Sequence, residues 1–227
     1  APEEGVLQAV DEILAASGVA AGRVDLFILG TALPTNALFE RKGARTAMIT
    51  TAGFADLVQI GQESRFAQYD VFLDKPAPLV PRQWRFGVPE RIDAGGKVLR
   101  ALDGDAIQAV AGELVRHGIE SVAVALLHSY VNPAHERRIG EILRARLPDV
   151  WVTLSCEVCP EIREYERMSP SCANAYVQPL VAGSLRRLEA RLRALGMACP
   201  FYLMTSGGAI TTLALGAEQP VRLIESG

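Results

Sequence analysis

The sequence predicts an α/β protein whose sheets, of mixed strand direction, are flanked by helices. Two observations carry that expectation. Short apolar runs alternate along the chain with segments of helical period, and the stretch Gly30 to Ala47 joins a strand exit, a polar turn, a helix and a second strand in one unit. Chemistry can sit at such a turn.

Val6, Leu7, Val10, Ile13 and Leu14 recur at helical spacing over 6–17, so the first element is an amphipathic helix packing on a sheet. A strand is expected near 24–30, from the apolar run Leu26 to Leu29. Pro34 supplies the φ that starts a helix and lacks an N–H that would go unpaired there, so a helix is expected near 34–42, closing at Gly43 after two cations. Thr31, Thr35 and Asn36 place hydroxyls and an amide where the chain leaves the strand. Two readings stay open: the helix start favours an anion or a carbonyl oxygen, or Thr35 and Asn36 simply cap the helix.

A strand near 45–50 and a short helix near 53–60 continue the alternation. Pro76, Pro78 and Pro81 then impose an extended, irregular path over 62–82. Segments 84–92 and 97–102 flank Ala94-Gly95-Gly96 as a hairpin. From there a helix capped by Asp103 or Asp105 runs to Gly118, a strand spans Val122–Leu126, and Pro133 opens another helix. A strand near 150–155, a helix near 172–195 and a strand at Phe201–Met204 complete the order. That last strand leads into Ser206-Gly207-Gly208 and the apolar-patterned Ala209–Leu215.

Charge and composition exclude several classes. Net charge is −3 over 227 residues, and the Arg-rich run Arg186 to Arg193 sits opposite Leu185, Leu188, Leu192 and Leu195, which reads as a solvated helix face rather than a nucleic-acid surface. No apolar run approaches the ~18 residues of a membrane span, and the acidic amino terminus lacks the order of a signal peptide, so a cytoplasmic location is expected. Cys156 and Cys159 have half of a zinc-site spacing without a matched second pair, and no metal site is expected.

Three motifs have chemical readings beside structural ones. Backbone N–H groups at Ser206-Gly207-Gly208 suit a phosphate or an adenine edge, or form a tight turn. The acidic cluster Glu161, Glu164 and Glu166, interleaved with Arg163 and Arg167 and with Glu161 and Glu164 on one helix face, suits a general base or a metal ligand, or forms structural salt bridges. Tyr165 and Asn174 suit substrate or interface contacts, and His135 falls at a helix start where it caps or packs.

Gly30-Thr31 through Arg45, with Ile49 to Gly61, Pro78-Leu79-Val80-Pro81-Arg82, Val88-Pro89-Glu90-Arg91-Ile92, Leu127-His128-Ser129-Tyr130-Val131-Asn132-Pro133-Ala134-His135-Glu136-Arg137 and Glu161 to Arg167, resembles the hydantoinase/oxoprolinase family. Asn174-Ala175-Tyr176-Val177, Ser206-Gly207-Gly208 and Ser226-Gly227 extend the likeness. The resemblance implies a partial actin-like ATPase (ribonuclease H-like) architecture, with residues 1–155 as an amino-terminal region and 156–227 as the start of an ATPase domain. It also implies ATP with Mg²⁺ in a longer parent, in which phosphorylation of an amide oxygen prepares a hydantoin or 5-oxoproline ring for opening by water.

On that reading Thr31, Thr35, Asn36, Glu164 and Asn174 line the substrate cleft, and Ser206, Gly207, Gly208, Ser226 and Gly227 lie on the nucleotide side. A second, hydantoinase B-like subunit or domain is the implied partner, and a homo-oligomer stays open. The alternatives are a subunit of an ATP-dependent ketone carboxylase and a non-catalytic scaffold. The family's two Asp-Gly-Gly-Thr-like phosphate turns are absent, so the chain is expected to be an internal fragment that binds no cofactor tightly and does not hydrolyse ATP alone. Two positions depart from the family pattern: Leu29 and Cys156 stand where members commonly carry histidine.

Overall fold

The computed structural model describes residues 2–62, 67 and 69–226. In chain order the elements are α1 (Pro2–Ser17), β1 (Phe27–Leu29), α2 (Leu33–Phe39), β2 (Thr46–Thr51), α3 (Leu57–Ile60), β3 (Arg85–Val88), β4 (Arg91–Ile92), β5 (Val98–Arg100), α4 (Gly104–Arg116) and β6 (Ser121–Ala125). They continue with α5 (Ala134–Arg146), β7 (Trp151–Leu154), α6 (Ser155–Val158), α7 (Glu164–Ala194), β8 (Phe201–Met204), β9 (Ile210–Thr212) and α8 (Leu213–Glu218). Two compact units result, one from Ala1–Gly43 with Val177–Gly227 and one from Ala44–Tyr176. The first is therefore built from both ends of the sequence.

The central unit, Ala44–Tyr176, holds a parallel sheet in the order β3-β2-β6-β7. Every residue of β2 and β6 is buried, and both are composed of apolar residues with small hydroxyl-bearing ones, Thr46, Thr50, Thr51 and Ser121, and carry no charge. One face packs on Ile107, Val110 and Leu114 of α4 with Ile139 and Leu143 of α5. Met168, Cys172 and Ala175 of α7 cover Met48, Ala123 and Ala125 on the other. The hairpin around Gly95-Gly96 forms from β4 and β5, with Gly96 at φ +85°, while β3 leaves it to join the parallel sheet.

α4 starts where its cap requires. The Asp103 carboxylate accepts from Asp105 N–H at 3.0 Å and Ala106 N–H at 3.2 Å. The helix expected over 172–195 instead begins at Glu164 and carries Pro170 and Pro179 within it. An interior proline costs about 3 kcal/mol. Burial of most residues from Arg167 to Ala182 offsets that cost, a tertiary term that local sequence does not display.

The terminal unit has a mixed sheet, β1-β8-β9, with β1 parallel to β8 and β9 antiparallel to β8. Phe27 pairs with Phe201, ring edge to ring face at 5.4 Å, and Leu7, Leu188, Leu192 and Met197 pack on this sheet. The arginines opposite are not simply solvated. Arg193 lies 4.2 Å over the Phe201 ring and donates to the Met197 and Cys199 carbonyls, and Leu195 is exposed rather than packed.

Arg187 holds α1. Its Nε donates to Glu3 Oε1 at 2.6 Å, and Ser184 Oγ donates to Glu3 Oε2 at 3.1 Å. The Arg187 hydrogen bond is the main reason the Glu3 carboxyl falls from 4.5 to about 2; burial opposes the fall, and Glu3's own backbone N–H and Ser184 assist it.

Two outcomes are expected. Asp103→Ala destabilises the chain by about 1 kcal/mol in urea unfolding, the usual cost of a lost cap. Because the folded carboxyl of Glu3 is depressed, its stabilisation is complete above pH 4.5 and is lost as pH falls toward about 2. The stability gap between the parent and Glu3→Gln, followed by thermal unfolding, should therefore be full at neutral pH and close over that acid window.

Candidate active site

Parallel pairing of β1 and β8 makes both strands exit on the same edge of the terminal unit's sheet, the edge where α/β proteins commonly place ligands. β1 delivers Gly30, Thr31 and the start of α2. β8 delivers Thr205 to Gly208, and a third segment, Arg222 to Ser226, arrives after the 3-10 turn Pro220–Leu223.

Side-chain hydroxyls stitch these three segments together. Thr35 Oγ1 accepts from Glu225 N–H at 3.0 Å, and Ser226 Oγ donates to the Thr31 carbonyl at 3.3 Å. Ser206 N–H and Oγ both reach the Arg222 carbonyl, at 2.9 Å each, and Ser206 Oγ also lies within hydrogen-bond reach of the Ile224 carbonyl. Glu225 itself sits at φ +61°, an uncommon conformation for a side-chain-bearing residue, held between the pinned carbonyl of Ile224 and the pinned Ser226.

Thr31, Thr35, Ser206 and Ser226 thus come together, from sequence positions as far apart as the two ends of the chain. Asn36 is exposed on α2. Gly207 and Gly208 form the turn between β8 and β9, and Gly227 lies outside the described residues. Glu164 and Asn174 belong to the other unit: Glu164 is the half-buried first residue of α7, and Asn174 is fully buried and donates to Thr153 Oγ1 at 3.1 Å.

Three local expectations change. Thr35 and Asn36 make no capping bond at the start of α2; Thr31 Oγ1 accepts from Leu33 N–H instead, while Thr35 is spent on Glu225. Ser206-Gly207-Gly208 is a tight turn into the antiparallel strand Ile210–Thr212, closed by Thr205 N–H to the Ala209 carbonyl and Gly208 N–H to the Thr205 carbonyl. With the N–H groups of Thr205, Ser206 and Gly208 engaged by carbonyls, this turn does not fit a phosphate cradle. Glu161 precedes α7 instead of sharing a helix face with Glu164, and Arg163 stands between them at φ +80°.

The central unit carries a buried polar network that sequence spacing did not disclose. Glu136, fully buried, accepts from Leu126 N–H at 2.7 Å, Ser155 Oγ at 2.6 Å and Cys156 N–H at 2.9 Å. Beside it in the chain, His135 Nδ1 lies 2.8 Å from the buried Glu90 Oε2, and the Thr51 hydroxyl contacts the other oxygen of Glu90 while accepting from Leu127 N–H at 3.1 Å. These groups sit at the C-terminal ends of β2 and β6. Pairings across dozens of residues, such as Glu90 with His135, leave no periodic signal; the adjacency of two polar residues at a helix start was the one local cue.

The cysteines are free thiols. Burial, followed by the nearby Glu136 carboxylate, pushes the Cys156 thiol well above its ordinary range, and burial pushes Cys172 up to about 12. Among the described residues no group of three or more His, Cys, Asp or Glu side chains is arranged to hold a metal, and no helix is long and apolar enough to cross a membrane.

Residues 1–147 match the hydantoinase/oxoprolinase N-terminal region and residues 167–227 match the hydantoinase/oxoprolinase family. An uncharacterized protein of Methanocaldococcus jannaschii is 35% identical over all of this chain and 33% of its own length. Caprolactamase subunit alpha of Pseudomonas jessenii is 34% identical over 89% of this chain and 30% of its own length. The acetophenone carboxylase gamma subunit of Aromatoleum aromaticum is 32% identical over 82% and 27% respectively. The crystal structure of the ATP-dependent caprolactamase of Pseudomonas jessenii superposes with a TM-score of 0.90 at 32% identity, over 98% of this chain and 33% of that one. The chain spans about a third or less of these relatives, and on both family matches and these identities it belongs to the hydantoinase/oxoprolinase family.

Proposed function

We propose that the chain is part of an ATP-dependent enzyme that opens cyclic amides such as hydantoins, lactams or 5-oxoproline. The likeness to the ATP-dependent caprolactamase, which extends over 98% of this chain, is the observation that carries the reading. A ring amide is a poor electrophile, and ATP would supply activation of its oxygen. On this reading Thr31, Thr35 and Asn36 contribute to the substrate side of the site. Ser206 and Ser226 hold the adjoining loops on the nucleotide side, a role supported by their bonds to Arg222 and Thr31. The engaged N–H groups of the 205–208 turn leave the phosphate grip to other residues of the whole enzyme.

A second reading, a subunit of an ATP-dependent ketone carboxylase, is favoured by the similarity to the acetophenone carboxylase gamma subunit. Leu29 and Cys156 bear on both readings, since each removes a titratable side chain that family members commonly carry.

The test uses the whole enzyme with its partner subunit, given Mg²⁺ and ATP. Ring opening of hydantoin, caprolactam or 5-oxoproline without bicarbonate is the expected result. ATP use that requires a ketone and bicarbonate would transfer the assignment to the carboxylase reading. Thr35→Ala should lower kcat/KM by roughly tenfold or more, the equivalent of one lost hydrogen bond of about 1.4 kcal/mol, with Thr35→Ser restoring most of it. Full activity in a Thr35→Ala, Asn36→Ala double variant would instead support a scaffold role for this turn.

A further inference from the structure

The parallel sheet of the central unit reverses its winding between β2 and β6. From β2 the chain crosses by α3 to β3 on one side, and from β6 it crosses by α5 to β7 on the other. The two crossings use opposite faces. Leu57 and Val58 of α3 pack with Met48 and Ala123, whereas Ile139 and Leu143 of α5 pack with Ile49, Val122 and Val124. Adjacent strands whose connections part in this way leave a crevice outside their carboxyl ends, the position where open α/β sheets bind ligands.

A directed series of hydrogen bonds occupies that edge. Leu127, just past β6, donates its N–H to Thr51 Oγ1 at the end of β2, at 3.1 Å, and the Thr51 hydroxyl donates its one proton to Glu90 Oε1. The other oxygen of Glu90, Oε2, lies 2.8 Å from His135 Nδ1, and the Glu90 side chain has no exposed surface. A carboxylate only accepts, so the proton of the neutral imidazole sits on Nδ1 and the lone pair on Nε2. Nε2 makes no hydrogen bond among the described residues and is not sealed from solvent, the His135 side chain being 12% exposed. The series therefore ends on one open acceptor at the edge where the sheet reverses.

We infer that the carboxyl edge at β2 and β6 is a ligand site of the central unit, in which His135 Nε2 accepts a hydrogen bond from the N–H or O–H of a small neutral ligand, an amide or an alcohol. Thr51 and Glu90 are positioning residues there: they fix the ring and its tautomer without meeting the ligand. The Glu90 carboxylate behind the imidazole disfavours an anion at Nε2. Glu136, next to His135 in the chain, is engaged by Leu126 N–H, Ser155 Oγ and Cys156 N–H and leaves the imidazole to Glu90. The alternative is a structural staple, in which the Glu90–His135 contact ties α5 to the strand ends and Nε2 meets only water. The inference rests on this unit alone and is independent of the reaction proposed above.

Long-range ¹H–¹⁵N NMR of the 227-residue chain at mildly alkaline pH separates the two, because only His117 and His128 share the spectrum with His135 and the His135→Asn variant assigns it. Three rings of similar size are titrated: caprolactam, which carries an N–H, cyclohexanol, which carries an O–H, and cyclohexanone, which carries neither. A saturable shift of the His135 Nε2 resonance with caprolactam or cyclohexanol, and none with cyclohexanone, is expected, and the arm that responds identifies the class. His135→Asn keeps an amide donor toward Glu90 and removes Nε2. Binding of the same ring, followed at the backbone amides, should weaken at least about tenfold in that variant while Tm stays unchanged, a loss that a staple would not show. No saturable shift in either donor arm, an equal shift with cyclohexanone, or equal affinity in His135→Asn overturns the inference. Should His135→Asn fail to fold, the comparison of donor rings with cyclohexanone in the parent chain decides by itself.

Discussion

Pairing of β1 with β8 is the contact on which the terminal unit depends. It joins residues 27–29 to 201–203, so the two ends of the sequence must meet before the unit has a sheet. Once the register Phe27 to Phe201 and Leu29 to Leu203 is set, the inward side chains meet Leu188 and Leu192 of α7, and the strand ends project Thr31 and Thr205 from the same edge. A slip of one residue would turn Phe27 and Leu29 out of that core. The Glu3–Arg187 pair then fastens α1 against the same helix, so a charged contact reinforces an apolar one that already fixes position.

With that register in place, the hydroxyls at the edge are used on backbone. Thr35, Ser206 and Ser226 each hold a loop, and Glu225 is kept in a left-handed conformation between them. Strain of this kind persists only where neighbours over-determine it, at a cost of order 1–3 kcal/mol. Rigid loops suit a site whose groups must be placed before substrate arrives. The central unit solves a different problem, two fully buried or nearly buried carboxylates, by giving Glu136 three donors and Glu90 a histidine and a hydroxyl.

Local determinants of this fold were legible and distant ones were not. Asp103 announces α4 because a cap acts over three residues, and the uncharged runs at 46–51 and 121–125, apolar apart from threonine and serine, announce strands because both faces are covered. The start of α7 was not legible, since Pro170 argues against a helix and only burial overrules it. The strand Ile210–Thr212 was not separable within the apolar-patterned 209–215, because three residues are too few to establish a period beside the helix Leu213–Glu218. At the candidate site the hydroxyl-bearing residues could be picked out by type, but their partners are backbone atoms of a remote segment. Main-chain acceptors carry no sequence signature at all.

The two departures from the family pattern acquire a physical meaning in this setting. Leu29 is the last residue of β1, paired with Leu203 and packed on the apolar cluster around Leu188 and Phe201. Cys156 packs against the cluster around Ile139 and Leu154, and its thiol, pushed up by burial and by Glu136, stays protonated at neutral pH. Neither position offers a proton acceptor, and a histidine at Leu29 would set an imidazole against hydrocarbon. The buried Glu90 carboxylate instead fixes one imidazole nitrogen of His135 at 2.8 Å, beside Thr51 and Leu127 at the ends of adjacent parallel strands.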